Sequence, residues 1–290
     1  MKKKTLLVVS ALVLSTSILA GCSVRFGITS RENKHNNISD FINNLTNNDF
    51  NMDTSNNSSY NSLYTEDLHK NISSEGVNKL DISILASEVT IKAIKGTDIT
   101  LDCTGSSNIV KETTFDKNSD TIYIQEEGET SFNLNGFNTD SRKVIIGIPE
   151  SFQGDAIISC GAGELIITDA TFKSLVVYGG AGELTISDII FDDLAIEQGM
   201  GETSITLNEK CGNMNISGGM GEFSLTLTEV GGNLTYSGGM GEAIIDIPHN
   251  APVKLITDTG MGETNITATT SGENTYTFDI SVGMGSLTVK

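Results

Sequence analysis

A glutamate recurs through the second half of the chain at Glu164, Glu183, Glu202, Glu222, Glu242 and Glu263, at spacings of 19, 19, 20, 20 and 21 residues, and Ser286 takes its place 23 residues further on. If each spacing is one turn of a stacked coil, these carboxylates form a column. Two like charges about 4.8 Å apart repel by about 0.9 kcal/mol in bulk water, so a repeated column asks for a compensating interaction. A row of hard oxygens can hold a divalent cation, calcium above all. Alternatively, each carboxylate accepts hydrogen bonds from backbone amides of the bend that precedes it. The structural role is the cheaper one, because long carboxylates splay apart and salt screens them. Beyond calcium, no cofactor is expected.

Other chemistry is sparsely provided. After residue 75 the chain has one histidine, His249, in a Pro-His-Asn-Ala-Pro turn, and one arginine, Arg142. A Ser-His-Asp triad or a His-based zinc site is therefore unsupported. Acidic neighbours such as Asp192 and Asp193 are unremarkable in so acidic a chain, and with no Trp the chain has little sugar-stacking surface. A polysaccharide-active β-helix enzyme is thus the weakest of the readings, and no catalytic residue is assigned. The glycines match neither a dinucleotide fingerprint nor a phosphate loop, since no helix follows them and no Gly-Lys-Ser/Thr occurs. Cys103, Cys160 and Cys211 are an odd set, and Cys103 and Cys160 fall at inward strand positions, so buried free thiols are expected.

The remaining reactive residue is Cys22. Lys2, Lys3 and Lys4 form a positive start, Thr5 to Ala20 is apolar, and Leu19-Ala20-Gly21-Cys22 resembles the lipobox of bacterial lipoproteins. That resemblance implies cleavage before Cys22 and its diacylglyceration. Two acyl chains suffice for stable attachment. Residues 1–21 are accordingly read as a lipoprotein signal peptide, and the mature chain is expected on the outer face of the bacterial cell membrane. With the leader removed, 15 basic residues face 37 acidic ones, a net charge of −22. Such a surface repels nucleic acid, and its expected partners are the membrane through the anchor, an envelope membrane protein or an extracellular surface.

The glutamates are positioned by a phrase that returns seven times. It reads GAGELIIT from Gly161, GAGELTIS from Gly180, GMGETSIT from Gly199, GMGEFSLT from Gly219, GMGEAIID from Gly239, GMGETNIT from Gly260 and GMGSLTVK from Gly283. The residues one and three places after each Glu are mostly apolar, as in Leu184/Ile186 and Phe223/Leu225, and so are those eight and six places before it, as in Leu175/Val177 and Met214/Ile216. Period-two alternation of this kind makes strands with one buried face. Two strands therefore meet at each glycine bend, which absorbs an odd residue. On this register the residue between the glycines, Ala162, Ala181, Met200, Met220, Met240, Met261 or Met284, points inward and fills the corner of the core.

Residues 22–75 are rich in Asn and Ser and are read as a disordered tether behind the lipidated Cys22, with apolar islands at Ile38 to Leu45 and Tyr60 to Leu68 able to form transient helices. Residues 76–150 hold degenerate coils: Leu80 to Ile91 fits the later template with Glu88 in the glutamate place, and Ile99–Cys103, Thr121–Ile124 and Val144–Pro149 are further strands. Irregular pairings are expected here, because terminal coils must cap the stack. Residues 151–290 are the regular repeats.

The degenerate strands, a strand ending Val-Ile-Ile-Gly-Ile-Pro at Pro149, and the repeated Gly-x-Gly-Glu-Leu-x-Ile units resemble the bacterial putative-adhesin β-strand-repeat family, which is toast-rack-related. The resemblance covers roughly residues 76–290. It implies an all-β, single-chain, β-helix-like solenoid, right-handed, with coils of about 20 residues and an irregular N-terminal cap. It carries over no catalytic residues. The expected function is a non-catalytic, adhesin-like binding surface, or alternatively a cell-envelope stress sensor or scaffold acting through a membrane partner. Self-association is expected through the C-terminal edge, at Ser286–Lys290, because unpaired edges recruit strands.

Overall fold

In a computed structural model, residues 65–106, 113–126 and 142–290 are described, so the signal peptide, Cys22 and most of the predicted tether lie outside them. Among the described residues thirteen strands are present: β1 (Thr65–Ser73), β2 (Lys79–Ile94), β3 (Asp98–Ser106), β4 (Thr113–Asn118), β5 (Thr121–Glu126), β6 (Lys143–Pro149), β7 (Asp155–Thr168), β8 (Thr171–Ser187), β9 (Ile190–Leu207), β10 (Asn213–Leu227), β11 (Leu234–Asp246), β12 (Val253–Ile266) and β13 (Tyr276–Val289). They join in one sheet with the path β1-β3-β6-β2-β7-β8-β9-β10-β11-β13-β12, and β5 pairs with both β2 and β4. All-β architecture is what the alternation demanded.

From β7 onward each long strand is one repeat bent at its glycines, and neighbours pair in parallel, residue for residue. Glu164 lies beside Glu183, and Glu183 beside Glu202. The first coil is β2, whose Leu80 pairs with Ala156 and whose Glu88 pairs with Glu164. The inward columns are dry: Leu175, Val177, Leu184 and Ile186 are all at most 2 % exposed. Phe223 and Tyr236 stack within this interior, ring centroids 4.1 Å apart. Burying each such side chain contributes about 1.5–3 kcal/mol, which is why the periodicity specifies the rungs.

The N-terminal end is closed by antiparallel pairing, as expected of a cap. β3 pairs antiparallel with β1 and β6, and β4 with β5. On the cap side, the first bend of β2 changes partner, from β5 along Lys79–Ser83 to β6 along Glu88–Ile94. A buried ion pair fills this break: Arg142 Nη1 meets Glu126 Oε1, Arg142 Nη2 donates to Thr113, and the Leu85 amide donates to Glu126 Oε2 at 2.8 Å. Residues 65–73 were read as tether, yet β1 is an ordered strand there. Leu68 and Ile72 alternate along it and pack on the core, giving it the apolar face that the surrounding Asn and Ser conceal.

The other end departs from chain order. β13 sits between β11 and β12, with Leu234 beside Phe278 and Leu255 beside Phe278 on its other side. The predicted edge at Ser286–Lys290 is thereby corrected, because β13 is flanked on both sides and β12 is the outermost rung. The inward side chains give the reason. β13 offers Phe278, Ile280, Val282, Leu287 and Val289, all buried, whereas β12 offers Thr257, Thr259 and Thr264, whose hydroxyls tolerate water. Thr259 and Thr264 bond to each other across the corner at 2.6 Å. The more apolar rung takes the covered place.

Candidate functional surface at the glycine corner

The second glycine of every phrase, Gly163, Gly182, Gly201, Gly221, Gly241, Gly262 and Gly285, has φ between +117° and +158°, a region that favours glycine. Space excludes a side chain as well. A Cβ at Gly182, Gly201, Gly221 or Gly241 would lie 1.7–1.9 Å from the carbonyl oxygen of the equivalent glycine one rung below. The first glycine lacks the unusual dihedral but meets the same obstacle, at 2.0 Å for Gly180 and 2.1 Å for Gly219. Both glycines are thus dictated by rung-on-rung contact, and the corner is a backbone surface.

The residue between the glycines was predicted to fill the core, and here the structure differs. Met240, Met284 and Met261 are 41 %, 39 % and 64 % exposed, and Met200 and Met220 are half-buried. The inward run on the first wall ends at buried Cys160, Gly179 and Val282, four residues before the glutamate place and one inward position short of the expected one. The odd residue is absorbed after that point, which turns the methionines outward. They are in register from rung to rung, Met200–Met220–Met240–Met284–Met261.

The predicted glutamates are brought together on the same corner. Glu164, Glu183, Glu202, Glu222 and Glu242 stand on successive rungs, and Glu88 extends the column by one. Glu263 is separated from Glu242 by Ser286, a consequence of the crossed rung order. Glu164 is half-buried and the others are exposed. Among the described residues, no hydrogen bond joins these carboxylates to amides of the bend, and no group of three or more His, Cys, Asp or Glu side chains is arranged to hold a metal.

Beneath the corner lie two cavities, of 20 Å³ around Ile216, Phe223, Tyr236 and Val282, and of 10 Å³ around Cys160, Gly179 and Leu184. Neither exceeds the space of about one or two waters. Gln198 lines both and donates from Nε2 to the carbonyls of Gly182 and Met200 at 3.3 Å. Burial pushes the Tyr236 hydroxyl up to about 12 and the Cys160 thiol up to about 11, the latter helped by the Glu126 charge. Cys103, Cys160 and Cys211 are all buried and free.

One ladder escaped the sequence reading. Asn213 Nδ2 donates to Asp193 Oδ1, Asn233 Nδ2 donates to Asn213 Oδ1, and the Thr277 amide donates to Asn233 Oδ1 at 2.9 Å. The spacing of Asp193, Asn213 and Asn233, nine residues before successive glutamates, was the available signal. Elsewhere His249 is exposed, and His69 pairs with Asp102 at 2.5 Å on the exposed face of β1 and β3. Among the described residues no helix is long and apolar enough to cross a membrane.

A protein-family model matches residues 77–239, more than half of the chain. The chain belongs to the Toastrack DUF4097 family. This agrees with the resemblance carried by the Gly-x-Gly-Glu phrases, and the stacked rungs described above are the toastrack fold. Among solved structures, the chain is similar to a putative cell adhesion protein from Clostridium sporogenes, at 17 % identity and TM-score 0.39 over 78 % of this chain and 99 % of that one. It is also similar to a putative adhesin from Bacteroides fragilis, at 14 % identity and TM-score 0.44 over 78 % and 97 %. A third, a putative lipid binding protein from Parabacteroides distasonis, is 12 % identical with TM-score 0.35 over 78 % and 97 %. At these scores the likenesses carry no argument about activity. No curated protein matches the chain.

Proposed function

We propose that the chain is a lipid-anchored, extracytoplasmic solenoid, wound right-handed in coils of about 20 residues, that presents a non-catalytic, adhesin-like binding surface. The observation that carries this reading is the corner itself. Seven bends, locked by glycine contacts, hold outward side chains in continuous rows across the rungs, while the cavities behind them are too small for a substrate. The anchor rests on Leu19-Ala20-Gly21-Cys22, and the outer-face location follows from it. The Glu164-to-Glu263 column adds a negative field that draws cations to this corner, calcium among them.

The test is crosslinking and capture of the lipoprotein from intact cells, beside a Cys22→Ala chain that lacks the anchor. Binding of the purified protein to external surfaces, with no membrane protein recovered, supports the adhesin-like reading. Recovery of one membrane protein only when Cys22 is intact replaces it with a sensor or scaffold subunit. An unchanged melting temperature in millimolar calcium removes the cation from the proposal.

A further inference from the structure

Six of the eight methionines lie in the regular repeats, and five of those six occupy the place between the corner glycines. Nothing in the packing asks for them. The first two repeats carry Ala162 and Ala181 there, half-buried and exposed respectively. A surface site with no packing demand ordinarily takes a polar residue, and an exposed apolar row stabilises nothing by itself. The sixth methionine, Met214, is 4 % exposed and belongs to the core. Of the five others, Met240, Met261 and Met284 are exposed and Met200 and Met220 are half-buried.

In-register pairing places successive thioethers on rungs about 4.8 Å apart. Met has three rotatable bonds, so sulfurs from neighbouring rungs can converge on one ion lying between them. Thioethers are soft, neutral donors that select Cu(I) among biological metals and hold its analogue Ag(I), while hard cations ignore them. Two places along every one of these strands except that of Met284, which has Ser286, stands the glutamate column, which supplies the negative field that concentrates a cation at this corner. We infer that Met200, Met220, Met240, Met284 and Met261 form a linear site for soft monovalent cations, Cu(I) in the reduced state, independent of any site the carboxylates make for calcium. Because thioethers do not titrate, binding between pH 5 and pH 8 depends on pH only through the surrounding field.

The experiment uses the purified full chain carrying ε-13C-methyl methionine. Ag(I), stable in air, is titrated first, and Cu(I) follows under anaerobic conditions. The expected result is a saturable shift of the methyl resonances of Met200, Met220, Met240, Met284 and Met261, with the signal of buried Met214 unmoved. A second chain carrying Met220→Leu, Met240→Leu and Met284→Leu keeps the apolar volume at one half-buried and two exposed places and removes three sulfurs. It should fold as the parent does and lose competition against bicinchoninate for Cu(I). Cys22, Cys103, Cys160 and Cys211 are present in both chains, so they cancel from that comparison. Ladder resonances that ignore both ions would overturn the inference, leaving the row an apolar surface. Equal Cu(I) retention by the leucine chain would overturn it too, by placing the metal elsewhere.

Discussion

Three glycine-to-alanine substitutions separate the two constraints that shape the corner. Gly96 has φ +123° with nothing within 4 Å of a built Cβ, so Gly96→Ala carries the dihedral cost alone, about 1–3 kcal/mol. Gly180 has no positive φ but would place its Cβ 2.0 Å from the Gly161 carbonyl oxygen, so Gly180→Ala carries the contact cost alone, about 1–3 kcal/mol of overpacking. Gly221 has both, φ +140° and a carbonyl oxygen at 1.8 Å, and Gly221→Ala should therefore cost about 2–6 kcal/mol. In a folded unit of this size, each kcal/mol lowers the melting midpoint by about 2–4 °C. Thermal unfolding followed by circular dichroism should rank the chains parent, then Gly96→Ala and Gly180→Ala together, then Gly221→Ala lowest. Met240→Ala, at the exposed place between Gly239 and Gly241, should move the midpoint little. A Gly180→Ala chain as stable as the parent would refute the reasoning, because it would mean that the rungs do not approach through the glycines.

The crossed rung order is checked by engineered disulfides: Thr235 lies beside Asp279, so Thr235→Cys with Asp279→Cys should oxidise readily, and Thr235→Cys with Ile256→Cys should not. Arg142→Met leaves Glu126 buried without its cation and should destabilise the cap by about 3–5 kcal/mol, read as a lower urea midpoint, while Arg142→Met with Glu126→Leu should recover much of that loss. Tyr236 is neutral in the fold up to about pH 12, above the usual tyrosine value of 10.0. Its contribution to stability is whole below pH 10 and falls between pH 10 and 12, by about 2–3 kcal/mol at most. Phenolate absorbance at 295 nm in a Tyr236→Phe comparison should show this tyrosine ionising last, and ionisation near pH 10 in the folded chain would contradict its burial.

Much of this surface was legible before any coordinates. Leu175, Val177, Leu184 and Ile186 are buried where alternation put them, and Glu88 occupies the glutamate place of a divergent first coil. The methionines were misplaced because parity across a bend depends on where the odd residue is absorbed, and a sequence offers several positions for it. Buried Val282 and exposed Met284 show that the odd residue is absorbed between them, ahead of the place between the glycines. β1 was hidden by its neighbours' composition, since Leu68 and Ile72 are two apolar residues in a polar stretch. The Glu126–Arg142 pair joins residues on either side of residues 127–141 and leaves no periodic trace.

By itself the sequence determined the rung: its length, its two walls, its glycine bend and its outward glutamate, because those depend on local dihedrals and on a burial pattern repeated along one chain. It also determined that rungs would pair in register, since a slip of one residue would turn every buried side chain to water. Only the tertiary structure decided the order of the last rungs, the outward turn of the methionines and the charged plug at the first bend. Each of these is settled by competition between segments that look alike locally. β13 displaces β12 from the covered position because Phe278, Ile280 and Leu287 gain more from exclusion of water than Thr257 and Thr264 do.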